Sequence, residues 1–511
     1  MIETVNVTAK SSEKDLPNDT QQLKQMVLML LGQIDDLHGQ LYYLKKQMFG
    51  KKSEKLDPNQ LMLFQDLYDE IQAKIDAEED HSAPKKRKPK QKSNANHPGR
   101  NPFPEDLPRD EHVIEPSADE KVCPTCQSEK QRIGQEVTEK LDYIPASFRV
   151  KRIVRPKYGC KQCQDNISIA HLPAMAIDKG IAAEGLLAHI ITSKYADHLP
   201  LNRLESIISR HGVDLTVSTM CDSVARCSDL LEPLVQRMHQ RILESPKIHS
   251  DATVVPVKSK KRKGSTYNGY LWVYIGVKND VVFDFTPTQS REGPNAFFQN
   301  YRGYAQVDAH SSFEGLFKNG HIIEVGCHAH ARRKFDQAQD NDPVRSVRVL
   351  LLWKDLYAIE RQAKEDDLSP EALLALRQEK AKPILKALYD LLGQWQSEIL
   401  PKSPLGKAIT YAMNQRDALH RYLADPILSI DNNLSERTLR TVAIGRKNWM
   451  FAGSEAGAKR AAVIYSLVAS CKLCGHDPYA YFRDVLTKIS TYPASQIDDL
   501  LPTNWQKPVS D

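Results

Sequence analysis

Near the start of the chain, apolar residues recur at alternating steps of four and three: Leu23, Val27, Leu30, Ile34, Leu37, Leu41, Leu44 and Met48. This is a heptad pattern, with leucine at every second apolar position, and it predicts a coiled-coil helix over residues 20–56 that self-associates, while a single amphipathic helix packed on its own protein fits the same pattern. Gly32 and Gly39 limit its length. Downstream the period changes. "EVTEKLDYIPASFRVKRIVRPKYG" alternates as strands do. Residues 179–245 then fall into three helical segments, broken at Pro200 and at "HGVDLTVS", with the last opening on a Ser218 cap. Short helices around a tight turn predict a helix-turn-helix-like DNA-binding domain, and a plain helical bundle fits the same pattern.

After Pro246 the texture is that of strands. "KIHSDATVVPV", "YLWVYIGV" and "VVFDFTPTQ" are β-rich, "GPNAFFQNY" is a short helical piece, and "YAQVDAHSSF" and "HIIEVGCHAHARRKF" follow. Three strands, a helix, a strand, a helix and another strand predict a mixed sheet covered by helices. Patterns such as "VRVLLLWKDLYAIERQA" mark residues 337–427 as a helical insertion, so this fold comprises residues 246–336 plus 428–450, with a C-terminal helical segment over 451–505. The fold class is multidomain α+β.

At 511 residues, 41% hydrophobic and 26% charged, the chain is too long for one core. No 18-residue apolar run and no basic-then-apolar N-terminus is present, so neither a membrane span nor a secretory signal is supported, and a cytoplasmic protein is expected. Among nine cysteines are two Cys-x-x-Cys pairs, Cys123 with Cys126 and Cys160 with Cys163. Together they can close a tetrahedral zinc shell without an open position, which predicts a structural zinc ribbon over residues 115–170. The net charge of +5 is mild, but residues 81–104 carry seven basic side chains and no acid. That stretch reads as a basic flexible linker, in which Lys85, Lys86, Arg87, Lys88 and Arg100 either are merely solvated or lie along DNA phosphates.

Asp251 falls on the first predicted strand of the sheet and Asp308 at the end of the fourth. If these strands are neighbours, the two carboxylates can hold hard divalent cations and serve phosphoryl chemistry. A third acid is required. Glu436, in "SIDNNLSERTLRTVAIGRKNW", has two readings: capping partner of an Asn433 N-cap, or metal ligand beside Arg437, Arg440, Arg446 and Lys447.

The stretch from Ser429 to Leu486 resembles the C-terminal block of the insertion sequence 66 family of bacterial transposases. "GYLWVYIG", "YRGYAQVDAHSSFEGL", "GCHAHARRKF", the four-cysteine ribbon and "MFGKKSEKL" are similar to its other blocks, in the same order. The resemblance implies a ribonuclease H-like catalytic core with an Asp, Asp, Glu triad at Asp251, Asp308 and Glu436. It implies that two Mg²⁺ or Mn²⁺ ions on that triad support strand cleavage and strand transfer of DNA. It also implies a Cys-x-x-His element at Cys327 and His330, a local brace, since two ligands do not make a zinc site.

On this reading Arg437, Arg440, Arg446 and Lys447 grip phosphate, with Arg332, Arg333 and Lys334 as weaker candidates. His310 and His328 are candidates for orienting groups near the site. The expected partners are element ends, target DNA, further copies of the chain and accessory proteins of the same element, in a nucleoid-associated setting. A non-catalytic zinc-ribbon regulator and a metal-dependent nuclease are the alternatives.

Overall fold

The computed structural model describes residues 147–158, 168–259 and 264–508. The chain divides after Phe148 into two compact units, and the elements below belong to the second. The heptad helix, the basic linker with Lys85, Lys86, Arg87, Lys88 and Arg100, and the ribbon cysteines Cys123, Cys126, Cys160 and Cys163 lie outside the described residues. Strands β1 (Lys157–Tyr158) and β2 (Ser168–Ile169) pair antiparallel.

Three helices follow: α1 (Glu184–Tyr195), α2 (Leu201–Ser209) and α3 (Val217–Leu243). Pro200 occupies the N-cap of α2, where its missing N–H costs nothing. The third helix starts earlier than its sequence suggested. Thr216, not Ser218, is the cap: it is extended, and its Oγ1 accepts from the Thr219 N–H at 3.3 Å, so Ser218 already lies in the first turn. On α3, Met220, Val224, Cys227, Leu231, Leu234, Met238 and Ile242 form one buried stripe at helical period. These helices share a single apolar core with the sheet.

That sheet has five strands: β3 (Lys247–Lys258), β4 (Thr266–Ile275), β5 (Val281–Thr286), β6 (Gly303–Gln306) and β7 (Ile322–Val325). Their order is β5-β4-β3-β6-β7. β3, β4 and β5 run as an antiparallel meander, whereas β6 lies parallel to β3 and β7 parallel to β6. Every residue of β4 from Leu271 to Ile275 is buried, as expected for a strand covered on both faces. Helix α4 (Glu292–Phe297) connects β5 to β6, and the Phe297 ring stacks on Tyr274 with centroids 3.5 Å apart. Between β6 and β7, where a helix was expected, there is only a short 3₁₀ turn, Glu314–Phe317.

After β7 comes α5 (His328–Ala338), then α6 (Pro343–Glu365), α7 (Pro370–Leu376), α8 (Lys382–Gln396), α9 (Pro404–Asn414) and α10 (Arg416–His420). Asp342, Ser369 and Ser403 cap α6, α7 and α9, each followed by proline in the first helical turn. These helices build a second apolar core around Phe335, Trp353, Leu388 and Leu392. At its base Arg377, only 2% exposed and on a π-helical turn between α7 and α8, makes a forked pair with Glu360 at 2.8 and 2.7 Å. It also donates to the carbonyls of Tyr422, Asp425 and Leu428, so one side chain fixes where the chain leaves the insertion.

The chain then forms α11 (Asn433–Trp449), α12 (Glu455–Leu473) and α13 (Pro478–Lys488). Ser466 and Ser470 of α12 accept from the N–H groups of Phe283 and Val281 at 2.8 and 2.9 Å, which satisfies the free edge of β5. No helix among the described residues is long and apolar enough to cross a membrane.

Replacing Arg377 with alanine strands the half-buried Glu360 carboxylate and three carbonyls. The expected cost is about 3–5 kcal/mol in urea denaturation, and a loss under about 1 kcal/mol would show that the exit from the insertion is fixed elsewhere.

Candidate active site

Register brings the first two acids together. β3 and β6 pair parallel with His249 opposite Gln306, and Asp251 and Asp308 each lie two residues beyond that pair. Parallel neighbours are about 4.8 Å apart, and a two-residue step returns both side chains to one face. The turn after Asp308 is tight. Ala309 adopts a left-handed φ of 62°, and the His310 N–H donates to Asp308 Oδ1 at 3.1 Å. The Asp308 carbonyl accepts from the Tyr411 hydroxyl of α9 at 3.1 Å, a contact from the insertion.

Glu436 arrives on α11, which is tied along β3 at three levels. At its start, Asn432 Nδ2 donates to the Ser250 carbonyl at 2.8 Å, and Asn432 Oδ1 accepts from Ser435 and from His249 Nδ1. That ring stays neutral, because burial first, and then the nearby Lys247 charge, hold its pKa near 3. In its last turn, Arg446 donates to the Val254 carbonyl. Past its end, Ala452 exchanges backbone bonds with Pro256 and Lys258 at 2.8 and 2.9 Å. Gly445 lets α12 close in, since a Cβ there would meet the Trp449 indole nitrogen at 2.8 Å and the Tyr465 hydroxyl at 3.2 Å.

The capping reading of Glu436 does not hold. The N-cap is Asn432 rather than Asn433, and the Asn433 side chain instead donates to Asp431 at 2.6 Å. The two Glu436 oxygens face other groups: Oε1 lies 3.5 Å from His330 Nδ1, and Oε2 lies 3.3 Å from Arg333 Nη2.

Asp251 feels the charges of both other acids. Asp251 is pushed up to about 7, first by burial, then by the Asp308 charge and also by Glu436, while the Ala252 N–H and Arg333 act the other way. A half-buried carboxylate repelled by two others is the donor set that a hard cation relieves.

The remaining side chains divide by exposure. Arg437, Arg440 and Lys447 project from α11 into solvent, whereas Arg446 turns inward onto β3. Arg332 is half-buried, Arg333 pairs with Glu436, and Lys334 lies over the Tyr411 ring at 4.5 Å. His328 is structural: Trp353 Nε1 donates to its Nδ1 at 3.0 Å, its Nε2 faces the Leu419 carbonyl at 2.8 Å, and burial holds it down near 4. The His310 ring bonds Ser312.

With this geometry in place, comparison with known proteins is decisive. A family model described as "Transposase IS66 family" matches residues 179–460, more than half the chain. The chain belongs to the IS66 transposase family. Residues 120–164, which include all four ribbon cysteines, match the zinc-finger binding domain of transposase IS66, and residues 466–503 match the IS66 C-terminal element. Residues 36–111 match a model described as "Transposase C of IS166 homeodomain". The chain is 33% identical to the uncharacterized protein y4jD of Sinorhizobium fredii (strain NBRC 101917 / NGR234), over 96% of this chain and 98% of that one. Two further uncharacterized proteins of that strain, y4hP and y4qI, are 32% and 34% identical, covering 80% and 78% of this chain and 77% and 76% of their own lengths.

In this family member the residues that sequence reasoning missed are the ones that hold the acids rather than form them. Asn432, Lys247 and Tyr411 carry no spacing signal of their own. Lys247 donates to the Ile427 carbonyl at 2.6 Å and to Ser429, and burial lowers it to about 8. The doubled asparagine in "IDNNLSER" was the visible hint.

Because the folded Asp251 carboxyl is pushed up to about 7, above its ordinary 3.8, this group's contribution to the stability of the cation-free protein is full at low pH and is lost as pH rises from about 4 to about 7. Asp251→Asn removes the slope. It is expected to raise stability by about 1–2 kcal/mol at pH 8 in chelator, with no gain at pH 4. An equal gain at both pH values would contradict the clustered-carboxylate account.

Proposed function

We propose that the chain is a DDE transposase that binds the ends of its element and catalyses cleavage and transfer of DNA strands, with Asp251, Asp308 and Glu436 as the acidic triad. The observation that supports this reading is the register of β3 with β6, which sets Asp251 and Asp308 at matching positions, together with the tethers that seat α11, the helix carrying Glu436, along β3. A meander of three antiparallel strands continued by two parallel ones, with a catalytic-face helix returning after an insertion, fits a ribonuclease H-like core.

The triad's oxygens suit Mg²⁺ or Mn²⁺, which would supply Lewis-acid stabilisation to the attacking and leaving oxygens of an in-line displacement at phosphorus. The chain's own groups do the rest. Arg333, paired with Glu436, orients that carboxylate and offsets part of the local negative charge. Arg437 and Arg440 can fork onto phosphate oxygens, and Lys447 adds a point charge farther along the same helix. Tyr411 and the His310 N–H fix the backbone and carboxylate of Asp308. The zinc ribbon, through Cys123, Cys126, Cys160 and Cys163, would bind structural zinc, and the heptad helix would pair copies of the chain so that two ends are held at once. Residues 179–245 would add DNA contacts. Such a protein would work in the cytoplasm, at the nucleoid.

Asp251→Ala, Asp308→Asn and Glu436→Gln should each lower strand joining by about a hundredfold or more while gel-shift binding of element ends persists. Joining by Asp308→Asn at the wild-type rate would overturn the assignment, and cleavage without joined products would make the protein a nuclease. Deleting residues 81–104 should flatten the dependence of end binding on salt, since each phosphate neutralised contributes about 0.9 to the logarithmic slope. An unchanged slope would remove the linker from the DNA contacts.

A further inference from the structure

Cys327 and His330 supply only two ligands from their own stretch of chain, but the fold adds a third. Cys327 Sγ, a ring nitrogen of His330 and a carboxylate oxygen of Glu436 all lie within 4.8 Å of one another. Cys327 is the extended N-cap of α5, His330 lies in that helix's first turn, and Glu436 lies in the first turn of α11, so two helix starts converge. His330 Nδ1 and Glu436 Oε1 face each other at 3.5 Å, both buried and neither with a hydrogen-bond partner. Buried polar atoms left unpaired are costly and call for an occupant between them.

The sulfur is prepared in a similar way. The Asn432 N–H donates to Sγ at 3.2 Å, and the His330 backbone N–H also bonds the thiol and favours its thiolate form. Burial nonetheless pushes the Cys327 thiol up to about 12, so without a cation it keeps its proton. A tetrahedral zinc shell with ordinary Zn–S, Zn–N and Zn–O bond lengths sets ligand atoms about 3.4 to 3.6 Å apart. The His330–Glu436 separation already matches. A sulfur, nitrogen and oxygen set selects zinc-like ions over Mg²⁺, which requires octahedral oxygen.

We propose that Cys327, His330 and Glu436 form a second metal site, for a thiolate-preferring divalent cation such as Zn²⁺, and that filling it commits Glu436 there and keeps it from a cation held by Asp251 and Asp308. Water completes the shell, and the displaced thiol proton passes to solvent. Arg333, facing the other Glu436 oxygen, lowers the affinity and suits the site to reversible occupancy. Only the second half of the proposal rests on the transposase reading.

The test uses the full chain, equilibrated with Zn²⁺ and dialysed, with zinc counted per polypeptide for wild type, Cys327→Ser and His330→Gln. Wild type should retain one more zinc than either variant. With Co²⁺ in place of zinc, wild type should show sulfur-to-metal charge-transfer absorption beyond that of Cys327→Ser. His330 is half-buried, so its variant repeats the count without disturbing the packing around Cys327. In Mg²⁺-supported joining, added zinc should inhibit wild type by about tenfold, within the usual range of coupling between sites, and leave the ratio near one for His330→Gln. Equal zinc counts in all three proteins overturn the site, and equal inhibition of wild type and His330→Gln overturns the competition. Failure of wild type to join DNA in Mg²⁺ alone would sink the transposase reading and leave the zinc count standing.

Discussion

Holding the Asp251 carboxyl half-buried beside the charges of Asp308 and Glu436 is the constraint on which much of the described unit bears. Burial first, and then the charges of Asp308 and Glu436, push the Asp251 carboxyl up, and that rise expresses the cost of keeping it there. Such an arrangement persists only when the surrounding structure over-determines it. Here the β3–β6 ladder sets the first two acids by backbone hydrogen bonds, which side-chain repulsion cannot rearrange without opening the sheet. The third is held by a helix fastened to β3 before its first turn, near its end and just beyond it.

The helical insertion has a mechanical part in this. Arg377 locks the exit of the insertion, and Lys247 and Gln306 then receive residues 427–429 onto the sheet, with Gln306 Nε2 donating to the Ser429 carbonyl at 2.5 Å. A short path leads from there to Asn432 and so to Glu436. The insertion also reaches the site directly, through Tyr411 at the Asp308 carbonyl. A long detour between the second and third acids therefore does not loosen the third, because the exit of the detour is pinned by buried charged or polar groups whose removal would leave unpaired partners.

Much of this was legible along the chain. The strand texture after Pro246, the helix-rich stretch that follows the sheet, Asp251 on the first strand and Asp308 just after a later one are local patterns, and local patterns survive folding. The misreadings were local too. Ser218 and Asn433 both have good capping side chains, but the residue that caps is the one whose backbone is extended or turned at the helix start, Thr216 in one case and Asn432 in the other. Arg446 looked like its neighbours Arg437, Arg440 and Lys447, and only its rotational position on α11, facing β3, separates it from them. The role of Glu436 could not be decided from spacing, because a capping box and a metal ligand leave the same trace in a sequence.

The sequence by itself determined the periods, and with them which segments become helices or strands, where the basic residues cluster, and through its motifs the family to which the chain belongs. Tertiary structure alone decided which distant groups meet. Register between parallel strands, the seating of α11 on β3 and the approach of Glu436 to Cys327 and His330 depend on contacts between residues far apart in the chain. Periodicity specifies the face on which a side chain lies but not what that face will touch, and the chemistry of this site lies in those contacts.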